Sequence, residues 1–478
     1  MLHFASYHRP RLRMLSEEQV RDIHLATLEI LERTGVEVKD ARALEILRQA
    51  GARISGQRAH IPAALVEQAI RRAPERVVIA DRLGRRVMPL EEGKVFFGTG
   101  SDTPSMIDPR TGEHRPPRRR DVVDFARLVD ALPNLDFAMS MGIVSDAPVM
   151  QNYVQGFAAM VEGTSKPIVY TANNVGDLEQ IHRMAIAVAG GEEALRANPF
   201  LVLYAEPISP LTHSPDGLGK LLYCAEHRLP VAYVSGTMAG ATVPVTLAGA
   251  IAITNAECLS GLVIHQLVAP GAPFIYGANV SVIDMTTSAC VYGGPEWRLA
   301  DAAYADLARF YKLPVWAAAG NTDAKTVDAQ AGAEALFSLA ITALAQCNLV
   351  HDVGYIDSGL TSSMELTLLS DELIQMLRIF VRGIPTDPER LALEVIDEVG
   401  PGGHFLDTDH TVKHFRREHF LPKLMERRNY EGWVAGGSKD TAARLNARVL
   451  EILAEHQPAP LPQAAQQTIT QVLATRGN

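Results

Sequence analysis

PFLVLYAEP, residues 199–207, is the stretch on which the reading of this chain turns. Proline opens it, an unbroken apolar and aromatic run follows, and Glu206 with Pro207 closes it. A strand tolerates proline at its first position. A short, continuously apolar run suits a strand covered on both faces better than one with a wet side. The same pattern recurs seven more times: VFFGTG from 95, DFAMSMG from 136, PIVYTAN from 167, PVAYVSG from 230, PFIYGAN from 273, PVWAAAG from 314 and NLVHDVG from 348. Each run gives way to Gly, Asn, Ser or an acid and then to a helix-like segment. The spacing leaves room for strand, loop, helix and return loop. Eight such units predict a (β/α)8 TIM barrel over residues 91–365. An open doubly wound sheet is the rival, but no GxGxxG follows the first run, so the usual dinucleotide signature is missing.

Outside the barrel the sequence predicts helical extensions at both ends. In SEEQVRDIHLATLEILERTG, Ser16 and Gln19 have capping-box spacing, Val20, Ile23, Thr27, Ile30 and Leu31 share one face, and Gly35 ends the segment. PAALVEQAIRRAP is a second helix with proline in its first turn. With the polar turn between them, these two form an expected N-terminal helical subdomain, residues 1–90. A C-terminal helical extension is expected over 366–478, with helices in LTLLSDELIQMLRIFVRG, 390–400 and 438–456, and PAPLPQ as a surface stretch.

Composition bounds the partners. The chain has 478 residues, 47% hydrophobic and 21% charged, with a net charge of -10. That is a globular balance, and its acidity argues against nucleic acid. Cys224, Cys258, Cys290 and Cys347 lie singly in apolar or small-residue segments, as expected of reduced core thiols in a cytoplasmic protein. The apolar run 243–269 is broken by Thr246, Asn255, Glu257 and Gln266, which predicts a buried helix pair and no membrane span.

In such a barrel the active site gathers at the carboxyl ends of the strands. There the sequence places Thr99, Ser101, Asp102, Asn173, Asn174, Glu206, Asn279, Asn321, Asp323, His351, Asp352 and Tyr355. Phe96, Phe97, Tyr204, Tyr276, Tyr292 and Trp316 accompany them. Aromatic faces with a few amides and carboxylates suit a small cationic or zwitterionic ligand, a well-placed ring adding about 0.5 to 2 kcal/mol. Asp323 also has a structural reading, as cap of the helix that follows. Lys325, between Asp323 and Asp328, reads better as a salt-bridged lysine than as a Schiff-base former, because neighbouring acids favour its charged form. Metal and phosphate signatures such as HExxH and the P-loop are absent.

Several stretches together resemble the trimethylamine:corrinoid methyltransferase family. They are PSMIDPRTGEHRPPRRRDVVDFARLVDALPNLD, PISPLT, MAGATVPVTLAGAIAITNAE, YGGPEWRLADAAYADLARFYKLP, NTDAKTVDAQAGAEAL, VGPGGHFLDTDHTVKHFRREHFLPKL and RRNYEGW. The resemblance implies a TIM barrel with added helices, assembly into a homo-oligomer, and transfer of a methyl group from a methylated amine to cobalt. Founding archaeal members carry pyrrolysine, which this chain lacks. Members without it resemble glycine betaine-type demethylases, which act on quaternary amines. The chain has no DxHxxG cobalamin-binding signature, so no cofactor is expected on it and the corrinoid is expected on a separate small corrinoid-binding protein. Carried over to this sequence, the family's barrel positions assign Phe97, Tyr276, Trp316 and Tyr355 to the cation side of the substrate. Thr99, Asn321 and His351 are candidates for its polar end, and Asp323 and Glu206 for electrostatic work. Two alternatives stand beside this: a Schiff-base lyase using Lys325, and a non-catalytic betaine-binding or sensing protein.

Overall fold

A computed structural model describes residues 10–474. All eight apolar runs become barrel strands: β1 (Phe96–Phe97), β2 (137–138), β3 (Ile168–Tyr170), β4 (Leu201–Ala205), β5 (Val231–Tyr233), β6 (Phe274–Ile283), β7 (Val315–Ala318) and β8 (Leu349–His351). Parallel pairing runs from β3 through β4, β5, β6 and β7 to β8, and β8 pairs with β1 through Leu349–Phe96 and Val350–Phe97. β2 completes the ring through single parallel bridges, Gly98–Phe137 and Ala138–Ile168. Thr99 reinforces this seam: its hydroxyl accepts from Met139 N at 2.8 Å and donates to Met139 O at 3.2 Å.

Strand alternation divides the side chains into two cores. Phe137, Met139, Val169, Val202, Ala232, Ile275, Trp316 and Leu349 fill the barrel. Phe97, Tyr170, Leu203, Tyr233, Tyr276 and Val350 point the other way, into the helical shell. The bottom of the barrel is plugged by an antiparallel hairpin, Val77–Ala80 with Arg86–Leu90, whose Val77, Ile79, Met88 and Leu90 join the inner cluster. Its Ala80 N donates to Pro199 O at 2.7 Å, tying the plug to the start of β4.

The residues before 90 are therefore more than helical. Helix Glu17–Glu29 has its capping box from Ser16 and Gln19 and continues as a π turn to Gly35. Between the two expected helices lies a third, Ala41–Gln49, and strands Val36–Val38, Arg53–Ser55 and Arg58–His60 form a sheet completed by Thr212–His213 from the loop after β4. These strands have only three residues each, too short for a period-2 pattern to register in the sequence.

The apolar run 243–269 is one helix, Leu247–Val268, not a pair. By length and composition it could cross a membrane, but 78% of its most apolar window is buried inside the protein. Its polar residues have internal partners, Glu257 accepting from Leu211 N and Ser209 Oγ, both at 2.7 Å. Beyond β8, helix Met364–Val381 packs against Arg119–Ala131 and Ala329–Ala345, taking the last place in the outer ring. Helices then continue to Gln463–Ala474, which buries Ala465, Ile469 and Val472. Cys224, Cys258 and Cys347 are buried thiols, and Cys290 is half-buried at the barrel mouth.

Candidate functional site

At the carboxyl end of the barrel a cavity of about 420 Å3 opens between the strand ends and a small flap. The flap arises because the chain resumes as a strand after β5, Ser235–Ala239, and pairs with the overlong end of β6, with Cys290–Val291 added antiparallel. It supplies Thr237, Met238, Asn279, Ser281 and Cys290 to the wall. The floor is aromatic. Trp316 is fully buried and stacks on Tyr204, their centroids 4.9 Å apart at 17°, while the His351 ring lies 4.2 Å from the indole. Tyr292, Trp297 and Tyr355 complete the aromatic wall, and the Tyr355 hydroxyl donates to Ser101 O.

Across this floor runs one chain of hydrogen bonds. His351 Nδ1 meets Asp352 Oδ1 at 2.6 Å and Nε2 meets Asn279 Oδ1 at 3.3 Å. Asn279 Nδ2 donates to the Tyr204 hydroxyl at 3.1 Å, which in turn donates to Glu206 Oε1. β4, β6 and β8 thus deliver a carboxylate at each end of a connected polar relay, and such a relay holds every member in place.

The third carboxylate, Asp102, follows β1. It accepts from Thr171 Oγ1 at 3.1 Å and lies near Lys220, whose Nζ is held by Ala172 O at 2.6 Å. Both Asp102 (φ 67) and Asp352 (φ 72) have left-handed backbone, which for a residue with a Cβ costs of order 1 to 3 kcal/mol and is typically maintained at functional sites. Glu206 opens onto the cavity yet is enclosed by protein beyond it, so its exposure is to confined rather than bulk water. That enclosure pushes its carboxyl up to about 7; the Tyr204 hydrogen bond opposes the rise and Asp102 adds to it. Enclosure likewise raises Asp102 to about 6, against hydrogen bonds from Thr171 and Ser101. These are acids short of a counter-charge.

Of the residues assigned a role through the family resemblance, Glu206, His351 and Tyr355 line this cavity and Trp316 supports it from below; Ser101, Asp102, Tyr204, Asn279, Tyr292 and Asp352, placed at the mouth by strand spacing, line it as well. The others lie elsewhere. Phe97 and Tyr276 sit on the outward parity of their strands; Tyr276 donates to Asn255 Oδ1 at 2.6 Å inside the shell. Thr99 is spent on the β1–β2 seam, and Asn321 is fully buried without lining the cavity. Asp323 is a loop brace: its carboxylate accepts from Tyr292 N at 2.8 Å, Gly293 N at 2.9 Å and Ser358 Oγ at 2.8 Å, fixing the loop that carries Tyr292. The cap of helix Ala329–Ala345 is Asp328. Lys325 is exposed, 3.4 Å from Asp357, with Nζ on Asp323 O at 2.8 Å. It does not reach the cavity, which removes the Schiff-base lyase reading. Asp102, Tyr204, Asn279 and Asp352 stand at the mouth as the strand spacing predicts, though without an assigned role, whereas the flap residues Met238 and Ser281 and the helix residue Trp297 are wall residues that the sequence does not place there.

Asp323→Ala is expected to cost roughly 2 kcal/mol, because three buried or half-buried donors lose their acceptor. A lower thermal midpoint together with a raised KM checks it. Lys325→Ala is expected to stay within about 0.5 kcal/mol of the parent, with turnover unchanged.

The sequence profile of the trimethylamine methyltransferase (MTTB) family matches residues 2–478. Trimethylamine methyltransferase MttB of Desulfitobacterium hafniense is 35% identical over 460 residues, covering 96% of this chain and 92% of that protein. Glycine betaine methyltransferase of the same species is 32% identical, covering 98% of each. Trimethylamine methyltransferase MttB of Methanosarcina thermophila is 34% identical and covers 94% of each. Among solved structures, Methanosarcina barkeri monomethylamine methyltransferase superposes with a TM-score of 0.54 at 9% identity, over 93% of this chain and 88% of that one. At that identity the superposition speaks for the barrel fold alone.

Proposed function

Because this chain belongs to the trimethylamine methyltransferase family, we propose that it moves a methyl group from a quaternary amine to the Co(I) of a separate corrinoid protein. The observation that carries this reading is the pairing of enclosed carboxylates with an aromatic wall at the barrel mouth. A quaternary ammonium is a fixed cation whose charge is spread over methyl groups. It gains from aromatic faces and from carboxylates that need not be desolvated further.

The chemistry asks little of the protein beyond placement. The acceptor's Co(I) supplies the electron pair of the new cobalt–carbon bond. The C–N pair leaves with nitrogen as a neutral tertiary amine, and the metal ends as methyl-Co(III). No proton has to be delivered to the leaving group, because the ammonium already carries its charge. The site's contribution is therefore to hold one N-methyl toward the open mouth in line for attack. Tyr204, Tyr292 and Tyr355 surround the cation, Glu206 and Asp102 balance its charge, and the Asp352–His351–Asn279 relay keeps Tyr204 and Glu206 in register.

The methyl group must leave through the mouth, so the acceptor docks there. The rim suits a protein partner. Val149, Met150, Ile208, Val245, Met285 and Leu360, in loops after β2, β4, β5, β6 and β8, are each more than half exposed. Exposed apolar residues gathered on one face mark interaction surfaces.

The test supplies the purified chain, its reduced corrinoid acceptor and a panel of quaternary amines. Conversion of the Co(I) spectrum to methyl-Co(III) is expected with at least one of them. Tight binding with no cobalt methylation by any would leave the binding-protein reading in its place.

A further inference from the structure

With the cavity read as a quaternary-ammonium site, we propose that His351 is held as an imidazolium, a proton on each ring nitrogen, and is the positioning residue that directs the hydrogen-bond relay onto Glu206. It acts through other side chains, by fixing which way the Asn279 amide and the Tyr204 hydroxyl point. The effect on ligand binding rests on the methyl-transfer reading, while the protonation of His351 rests on hydrogen-bond geometry.

The count of donors and acceptors decides it. At pH 8 Glu206 is mostly ionised, so the one proton between its Oε1 and the Tyr204 oxygen is the hydroxyl's own. That oxygen can then only accept further, and the Asn279 group facing it at 3.1 Å has to be the NH2. The amide oxygen is thereby turned to His351 Nε2 at 3.3 Å, and an oxygen there asks for an N–H. On the other side of the ring Asp352 Oδ1 lies 2.6 Å from Nδ1, and a carboxylate accepts only. A neutral imidazole has a single N–H and serves one of these two acceptors. The charged ring serves both.

The surroundings suit a cation. The indole of Trp316 lies 4.2 Å from the His351 ring, within the range at which an aromatic face attracts positive charge. His351 and Asp352 are both buried, so together they form an enclosed ion pair of no net charge. Burial keeps the Tyr292 and Tyr355 phenols on the same wall neutral. Of the other cations near the mouth, Arg298 is matched by Asp301 at 3.3 Å, and Lys220 stands behind Asp102 with its ammonium on Ala172 O. The net charge facing a ligand is thus left to Glu206 and Asp102.

The direction of the relay follows from the charge on the ring. A neutral His351 with its proton on Nδ1 would present a bare Nε2, to which Asn279 would turn its NH2. The amide oxygen would then face Tyr204 and draw the hydroxyl proton away from Glu206. The imidazolium forbids that reversal, and Glu206 keeps the hydrogen bond that favours its ionised form. A glutamine at position 351 has one NH2 and one oxygen. With the NH2 on Asp352, its oxygen faces Asn279, and the relay runs backwards.

NMR of the full-length protein labelled with 15N-histidine tests the protonation directly, the His351 signals being assigned by their absence from His351→Gln or His351→Asn. At pH 8, with no ligand, both ring nitrogens are expected to carry a proton; a ring with a single N–H overturns the proposal. Calorimetry with tetramethylammonium between pH 6 and 9 then tests the positioning role. In His351→Gln the rise of affinity with pH is expected to move upward by at least about half a pH unit, because Glu206 loses the Tyr204 proton. A loss of affinity that is equal at every pH, with the rise unmoved, reduces His351 to packing and overturns the role. If tetramethylammonium binds the parent no better than uncharged 3,3-dimethylbutanol does, the quaternary-ammonium reading falls, and the NMR result still decides whether His351 is an imidazolium.

Discussion

Glu206→Gln is expected to weaken binding of a quaternary ammonium by roughly ten- to a hundredfold at pH 8, about 1.4 to 2.7 kcal/mol, while an uncharged isostere binds as before. The substitution keeps the shape of the side chain and an acceptor for the Tyr204 hydroxyl, so what it removes is the charge. The pH dependence follows with a definite sign. In the free protein the Glu206 carboxyl titrates at about 7, raised by enclosure and by Asp102 and opposed by the Tyr204 hydrogen bond and by Lys220, with Asp352 adding to the rise. At pH 6 it is mostly neutral. A fixed cation favours its ionised form, so binding at that pH releases a proton. Affinity should therefore tighten as pH rises from about 6 to 8 and level off above. The ligand itself has no titrating group in this range, so the slope belongs to the protein. In Glu206→Gln the slope above pH 7 should vanish, leaving a weaker one centred on Asp102 at about 6. Calorimetry across that range decides it; an unchanged slope in the variant would assign the titration to another group.

The eight strands were legible because a barrel strand is covered on both faces, and burial on both faces writes itself into sequence as an unbroken apolar run. That same property hid the site. With no polar alternation to reveal which face is which, Phe97 and Tyr276 are as plausible as Phe96 and Ile275, and only the second pair points into the barrel. A period-2 count from Val202 would have helped. It puts Tyr204 and Glu206 on the inner face of β4, and from Ile275 it reaches Asn279 on β6. From Leu349 it reaches His351 on β8. The roles of Asp323 and Thr99 were not legible at all, because each is set by what a different loop or strand brings near: Tyr292 and Gly293 to one, Met139 to the other. The flap escaped for a similar reason. GTMAG looks like a loop in isolation, and it becomes a strand only through pairing with the extended end of β6.

Trp316 carries the other large expectation. The indole is wholly buried beneath Tyr204 and beside His351, so it supports the relay without touching the cavity. Trp316→Ala is expected to cost about 3 to 5 kcal/mol in stability, because the removed ring leaves a void at the centre of the barrel. Turnover should fall by at least about a hundredfold, since Tyr204 would lose the face that orients it and Glu206 the hydroxyl that holds it. Trp316→Phe separates floor from cage. It keeps an aromatic face under Tyr204 with a smaller void, and the stacking at stake is about 0.5 to 1.5 kcal/mol. If the ring is a floor, it acts on the ammonium only through Tyr204, so Trp316→Phe adds nothing to the loss of cation affinity already caused by Tyr204→Ala. A further loss in the double variant would place the indole in direct contact with the ammonium. Measured beside Tyr204→Phe, which keeps the ring but cuts the Glu206–Tyr204–Asn279 connection, the pair distinguishes what stacking contributes to the site from what the hydrogen-bond relay contributes.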